Sequence, residues 1–230
     1  MSTLANITSS EFINRIGMGS RRIIHRIVFV RHGETIANLN MMNGSFDPTK
    51  KFLNTPLSTI GHNQAENVAD YLIHIGFVPD RIIVSRLKRA MDTAKPFINK
   101  TEIPVIYDES ITEYNHSYDD LINDNYGTWN YKKESHEEFV ERISNAITSI
   151  KDYGSADFPK QTLVYTHSQV ISCLLTNCIF GIKTQTNTFF HLANGSITCM
   201  DTDEDKKIHI HAVNYTKHLE HPTGQHSPFT

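Results

Sequence analysis

Cysteine is scarce in this chain of 230 residues: there are three, Cys173, Cys178 and Cys199. The number is odd and the spacings fit no common zinc pattern, so neither a disulfide framework nor a structural zinc site is expected. Cys173 and Cys178 fall in an apolar helical stretch and read as small core residues. A reducing, cytoplasmic setting is the natural inference. No apolar run approaches the roughly 20 residues that cross a bilayer. Residues 1–26 contain Glu11 and no continuous apolar core, which argues against a secretory signal. An excess of positive charge is also missing. Lys and Arg total 22 against 25 Asp and Glu, a formal net charge of −3 at pH 7. A nucleic-acid binder would show a basic face, so neither nucleic acid nor an anionic membrane is an expected partner. Any phosphate site must then be a local positive pocket.

Several chemical signatures are absent too. There is no Gly-x-x-x-x-Gly-Lys-Ser/Thr, hence no P-loop. There is no Cys-x₅-Arg, which excludes the usual cysteine-phosphatase loop. Asp201-x-Asp203 imitates the paired aspartates of haloacid-dehalogenase phosphatases, but it sits in a charged turn late in the chain, and a solvated hairpin accounts for it. Among 13 histidines, His209 and His211 share one strand face without an evident third ligand, and His136-Glu137 lacks the second histidine of a zincin. No metal and no cofactor are expected.

What is present is alternation of strand-like and helix-like segments. The patterns predict strands over 23–30, 81–84, 104–107 and 162–165, and helices over 58–75, 85–97, 135–150 and 169–180. Two further strands, 196–201 and 207–213, pair as a hairpin. Ser58 and Ser85 are expected to cap the first two helices, and Ser135 to Glu138 is a capping box. Residues 114–133, rich in Tyr, Asn and Asp, have no clean period and read as an excursion over the sheet edge that forms a lid. The expected architecture is a three-layer α/β/α sandwich with a mainly parallel central sheet and an antiparallel edge. It spans residues 23–219 as one domain, with residues 1–22 as an arm or short helix and 220–230 as a disordered tail.

Three strand ends carry chemistry. The first runs into Arg31-His32-Gly33-Glu34-Thr35, the second into Ser85-Arg86-Leu87-Lys88-Arg89, and another into Thr166-His167-Ser168. Ligands of open α/β sheets bind outside the carboxyl ends of the strands. Arginine holds oxyanions with a planar fork of donors, and neutral histidine attacks phosphorus. Each residue alone is ordinary surface chemistry. Together at one sheet edge they propose phosphoryl transfer through a phosphohistidine.

With these motifs the chain resembles the histidine phosphatase superfamily, which is phosphoglycerate-mutase-like. The resemblance covers residues 27–219. Arg31 to Thr35 with Asn38 is similar to the family's signature. Leu57-Ser58 with Gly61 and Gln64-Ala65 resembles its next block, and Ser85 to Ala90 with Thr93-Ala94 the block holding its second arginine. Ile111-Thr112-Glu113 resembles the segment carrying its acid, Glu134-Ser135 the start of its following helix, and Thr166-His167-Ser168 its second-histidine motif. Arg86 stands where proline is frequent and Ser168 where glycine is usual. Met41 to Thr55 is longer than usual.

The resemblance implies that His32 is the nucleophile. Arg31, Arg89, His167 and Asn38 bind the phosphate, and Glu113 is the general acid. Glu109, four residues earlier, is the substitute acid, and Glu34 reads as structural. The implied activity lies in the phosphatase branch: a metal-independent phosphomonoesterase, a hydrolase of small-molecule or peptidyl phosphate esters. Two rivals are a cofactor-dependent phosphoglycerate mutase and a non-catalytic phosphate-binding interaction module. Retention of both arginines and both histidines disfavours the module. The lack of arginine between Tyr114 and Lys133 disfavours the mutase.

Overall fold

The computed structural model describes residues 22–44, 54–117, 119–179, 181, 190–220 and 222–223. Eight strands are present among them: β1 (Ile23–Arg31), β2 (Arg81–Ser85), β3 (Val105–Asp108), β4 (Asp120–Asp124), β5 (Gly127–Tyr131), β6 (Lys160–Thr166), β7 (Ile197–Asp203) and β8 (Ile208–Tyr215). The helices are α1 (Ile36–Met42), α2 (Thr59–His74), α3 (Lys88–Asn99), α4 (His136–Lys151) and α5 (Ser168–Cys173). The main sheet has the order β3-β2-β6-β1-β7-β8. Pairs β3–β2, β2–β6 and β6–β1 are parallel, while β1–β7 and β7–β8 are antiparallel. This is the expected mainly parallel sheet with an antiparallel edge.

Alternation along the strands builds the layers. A strand presents successive side chains to opposite faces. Ile27 and Phe29 of β1, with Ile83, Val164 and Met200, pack against Phe139, Ile143, Ile147 and Ile150 of α4 and Ile171 of α5. Val28 and Val30, with Ile82, Val84, Leu163 and Tyr165, pack against Val68 and Leu72 of α2 and Ala94 and Phe97 of α3. Two apolar cores therefore sandwich one sheet, and its inner strands are buried on both sides, as parallel sheets require.

The residues read as a lid excursion form a second, two-stranded sheet, β4–β5. Its turn is closed by Gly127 at φ +109°, a conformation open to glycine. Ile122, Trp129 and Tyr131 point to one side and pack with Leu87. Arg86 anchors this hairpin. Its guanidinium donates to Asp124 Oδ1 at 2.9 Å and Oδ2 at 3.0 Å, to Glu109 Oε1 at 2.5 Å and to Gly127 O at 3.2 Å. The residue standing where proline is frequent thus fastens the hairpin to the main sheet.

Other expectations need correction. Ser85 is not the N-cap of α3; Leu87 occupies that position without a side-chain cap bond. The helix expected from residue 169 begins at Ser168, with His167 in the N-cap position. The helix expected to run to residue 180 changes to π-helical spacing over Leu174–Ile179, and Phe180 lies outside the described residues. Asp201 and Asp203 are not in a solvated turn. Both are fully buried at the end of β7. Asp201 takes a bidentate pair from Arg26 at 2.7 Å and a bond from His211 at 2.8 Å, while Asp203 accepts from His209 at 2.8 Å. Removing one partner of such a buried pair costs about 3–5 kcal/mol. The presumed tail is bound at Thr223, whose carbonyl accepts from Asn194 N at 2.8 Å and whose hydroxyl accepts from Gln64 Nε2 at 3.0 Å. The arm over 1–21, the loop over 45–53 and residues 224–230 lie outside the described residues.

One close approach fixes α2 against the end of β1. A Cβ on Gly61 would sit 2.0 Å from Glu34 O, and one on Gly33 2.5 Å from Gly61 O. No flexible side-chain tip can yield there, because both obstacles are backbone. Gly61→Ala should cost about 2 kcal/mol or more, lowering the melting temperature by about 4–8 °C. A thermal melt followed by circular dichroism checks this.

Candidate active site

β1, β6 and β2 are neighbours and run parallel, so their carboxyl ends lie at one edge. That edge receives Arg31-His32, Thr166-His167 and, one helical turn past β2, Arg89. The ring centroids of His32 and His167 are 5.3 Å apart. One ring nitrogen from each histidine and one Glu113 carboxylate oxygen lie within 4.8 Å of one another. Of the two acids left open by the sequence, Glu113 is therefore the one in the pocket. Glu109 is half-exposed and paired with Arg86.

The backbone of His32 is pinned on two sides. Its N–H donates to Thr166 O at 3.0 Å, and its carbonyl accepts from Gly195 N at 3.1 Å and Asn194 Nδ2 at 3.2 Å. His32 Nδ1 lies 2.7 Å from Gly33 O. A carbonyl only accepts, so Nδ1 bears the proton and Nε2 keeps its lone pair. Gly33 N in turn donates to Thr93 Oγ1 at 2.9 Å, and that hydroxyl donates to Arg89 O at 2.6 Å. Thr93 thereby couples the loop at His32-Gly33 to the helix holding Arg89.

His167 Nε2 lies 2.7 Å from Ser85 Oγ. Ser85 Oγ also accepts from Leu87 N at 3.4 Å. The other ring nitrogen, His167 Nδ1, is buried without a hydrogen-bond partner among the described residues. Arg31 Nε is in the same condition, while Arg31 Nη1 donates to Leu192 O. Arg89 interacts with Tyr131. The Asn38 carboxamide oxygen accepts from Thr35 N at 3.1 Å and Thr35 Oγ1 at 2.9 Å, which turns its amide nitrogen into the group that can donate. Glu34 accepts from Ser58 Oγ at 2.7 Å, a structural bond that sets the start of α2.

Charge in the pocket is shaped mainly by burial. Burial, then the guanidiniums of Arg89 and Arg31, holds His32 well below the ordinary imidazole range, and His167 behaves alike. Both rings are neutral at neutral pH in the empty pocket. Burial raises Glu113 above the usual carboxyl range, although Arg89 and Arg31 oppose it. Burial lowers Arg31 to about 10. By distance alone, His32, Glu113 and His167 match the three-ligand set of a catalytic metal. The donor set does not fit a cation. Two guanidiniums share the pocket, and Arg31 Nε is a donor left there without a partner among the described residues. The site is built for an anion.

Of the residues expected from the sequence, the sheet edge brings His32, His167 and Glu113 together, with Arg31 and Arg89 beside them. The contacts of Ser85, Thr93, Asn194 and Tyr131 were not foreseen, because each depends on hydrogen bonds fixed by tertiary structure. Saturating orthovanadate, a tetrahedral or trigonal oxyanion, should stabilise the folded chain by about 2.7 kcal/mol at 100 times its Kd. Arg89→Met should abolish this gain, measured as a melting-temperature shift in differential scanning fluorimetry.

Comparison with known proteins agrees with this geometry. The family described as histidine phosphatase superfamily (branch 1) matches residues 27–216. The adenosylcobalamin/alpha-ribazole phosphatase of Escherichia coli (strain K12) is 25% identical over 196 residues, covering 78% of this chain and 91% of that protein. The crystal structure of the alpha-ribazole phosphatase from Shigella flexneri superposes with a TM-score of 0.62 at 21% identity, covering 83% of this chain and 96% of that one. Phosphoglycerate mutase from Bacillus anthracis shares the fold at a TM-score of 0.61 and 16% identity, covering 86% and 96%. The chain belongs to branch 1 of the histidine phosphatase superfamily.

Proposed function

We propose that this chain is a metal-independent phosphomonoesterase that works through a phosphohistidine on His32. The observation that carries this reading is the bond from His32 Nδ1 to Gly33 O, which leaves Nε2 as a neutral nucleophile. In the first step Nε2 attacks phosphorus and the P–O bond to the leaving group breaks. Glu113, whose proton affinity burial raises, gives its proton to the departing oxygen. In the second step water attacks the phosphohistidine, Glu113 takes a proton from it, and the P–N bond breaks. Inorganic phosphate leaves and His32 returns neutral.

Arg31, Arg89 and His167 hold the non-bridging oxygens, with Asn38 as a further donor. The orphaned Arg31 Nε and His167 Nδ1 gain from an anion the partners they lack. Charge developing in the transition state meets donors already in place. A bound dianion raises the proton affinity of His167, which is neutral in its absence.

Hydrolysis is favoured over mutase chemistry. Residues Tyr114 to Tyr131 contain no Lys or Arg, and they include Asp119, Asp120 and Asp124. A doubly phosphorylated intermediate would need additional cations there. The names of the sequence relatives place alpha-ribazole phosphate on the panel of esters to be tried.

His32→Ala should abolish turnover and acid-labile phosphoenzyme, detected with a ³²P-labelled ester. Persistent turnover by that variant refutes the nucleophile. Glu113→Gln should slow an alkyl phosphate by about 10²–10⁴-fold while barely affecting p-nitrophenyl phosphate.

The pH dependence has a definite sign. An acid whose pKa is raised stays protonated to higher pH, so the alkyl ester should lose rate only above that raised value. The alkaline fall should vanish in Glu113→Gln. An alkaline limb unchanged in that variant assigns it to another group.

A further inference from the structure

Glu113 follows a single 3₁₀ turn, Glu109–Ile111, and lies on irregular backbone. Such a segment does not by itself aim a buried carboxyl with precision. Here four successive carbonyls of the segment are each taken by a side-chain donor from elsewhere. Arg142 Nη1 donates to Ser110 O at 2.9 Å and to Thr112 O at 3.1 Å. Thr166 Oγ1 donates to Ile111 O at 2.8 Å. Tyr131 Oη donates to Glu113 O at 2.5 Å. The donors come from α4, β6 and β5, three elements that do not otherwise share a role.

Arg142 is central to this set. Its Nε donates to Glu134 Oε2 at 2.9 Å and its Nη2 to Glu134 Oε1, so a bidentate carboxylate orients the fork that reaches the two carbonyls. The guanidinium carries its own counter-ion, and its influence on Glu113 runs through backbone geometry. We infer that Arg142 is a positioning residue for the general acid: it sets where Glu113 stands relative to the leaving oxygen and takes no part in phosphate binding. The inference rests on the acid role given to Glu113 above.

Lysine at 142 keeps the charge beside Glu134 but lacks the fork needed for both carbonyls at once. Arg142→Lys should therefore lose about tenfold or more in kcat on an alkyl phosphate. The loss on p-nitrophenyl phosphate should be under about threefold, with KM for both within about twofold. In the cycle with Glu113→Gln, the double variant should match Glu113→Gln alone, because a residue acting through Glu113 has nothing left to position. An equal loss on both esters, or losses that multiply in the double variant, overturns the inference. Thr166→Val, which frees Ile111 O, serves if Arg142→Lys fails to fold; it should show the same selective loss, and an unselective one counts against the clamp. Glu113→Gln measured alongside separates the two readings. If it treats the two esters alike, the acid assignment falls and takes this inference with it. If it discriminates and Arg142→Lys does not, the clamp alone falls.

Discussion

A hydrogen bond of 2.7 Å between His32 Nδ1 and the carbonyl of the next residue decides what this pocket can do. A ring nitrogen facing a carbonyl must donate, so the other nitrogen is a lone pair by elimination. The carbonyl is available because Gly33 turns away from the sheet under Gly61, an approach that tolerates no Cβ at either position. The chemistry of the imidazole thus depends on the packing of two glycines. Thr93 holds the same loop through Gly33 N, and Arg89 through its own carbonyl, so His32 and Arg89 are set by one short chain of bonds.

Gathering two guanidiniums and two imidazoles in a buried space is unfavourable until an anion arrives. The fold meets this by keeping both rings neutral through burial and by turning a carbonyl, Leu192 O, toward Arg31. Donors that stay buried and unpaired are a cost in the empty protein and a gain when an oxyanion fills them. Glu113 is governed by the same burial in the opposite direction. Desolvation raises its proton affinity beside arginines that act in the opposite sense. One environment therefore lowers the proton affinity of the imidazoles and raises that of the carboxyl.

Much of this was legible in the sequence. Apolar runs ending in Arg31-His32 and in Thr166-His167 located the rim, and the unbroken apolar run Ile27 to Val30 announced a strand buried on both faces. Capping at Ser58 and Ser135 followed from local rules that tertiary structure left undisturbed. The misses share a cause. Ser85 had the chemistry of a cap, but a histidine 82 residues away claimed its hydroxyl. Asp201 and Asp203 looked like a solvated pair because nothing local reveals that Arg26, His209 and His211 would close over them. The β4–β5 hairpin hid behind polar residues, since only Ile122, Trp129 and Tyr131 are buried hydrophobics and their neighbours along the strands include Asn123, Asp124, Thr128 and Asn130. Choosing between Glu109 and Glu113 required knowing where Arg86 would reach.

The order of strands across the sheet has a bearing on how the chain acquires its shape. β1 pairs with β6 and β7, so His25 meets Lys160 on one side and Thr202 on the other. During synthesis this apolar strand emerges before its partners, which lie more than a hundred residues downstream. Closing such long loops slows folding and leaves a sticky edge exposed in the interval. The strand ends that form the rim are residues 31, 85 and 166, and β6 lies between β1 and β2, so the rim closes only when β6 is in place. The pocket is then a property of the finished sheet.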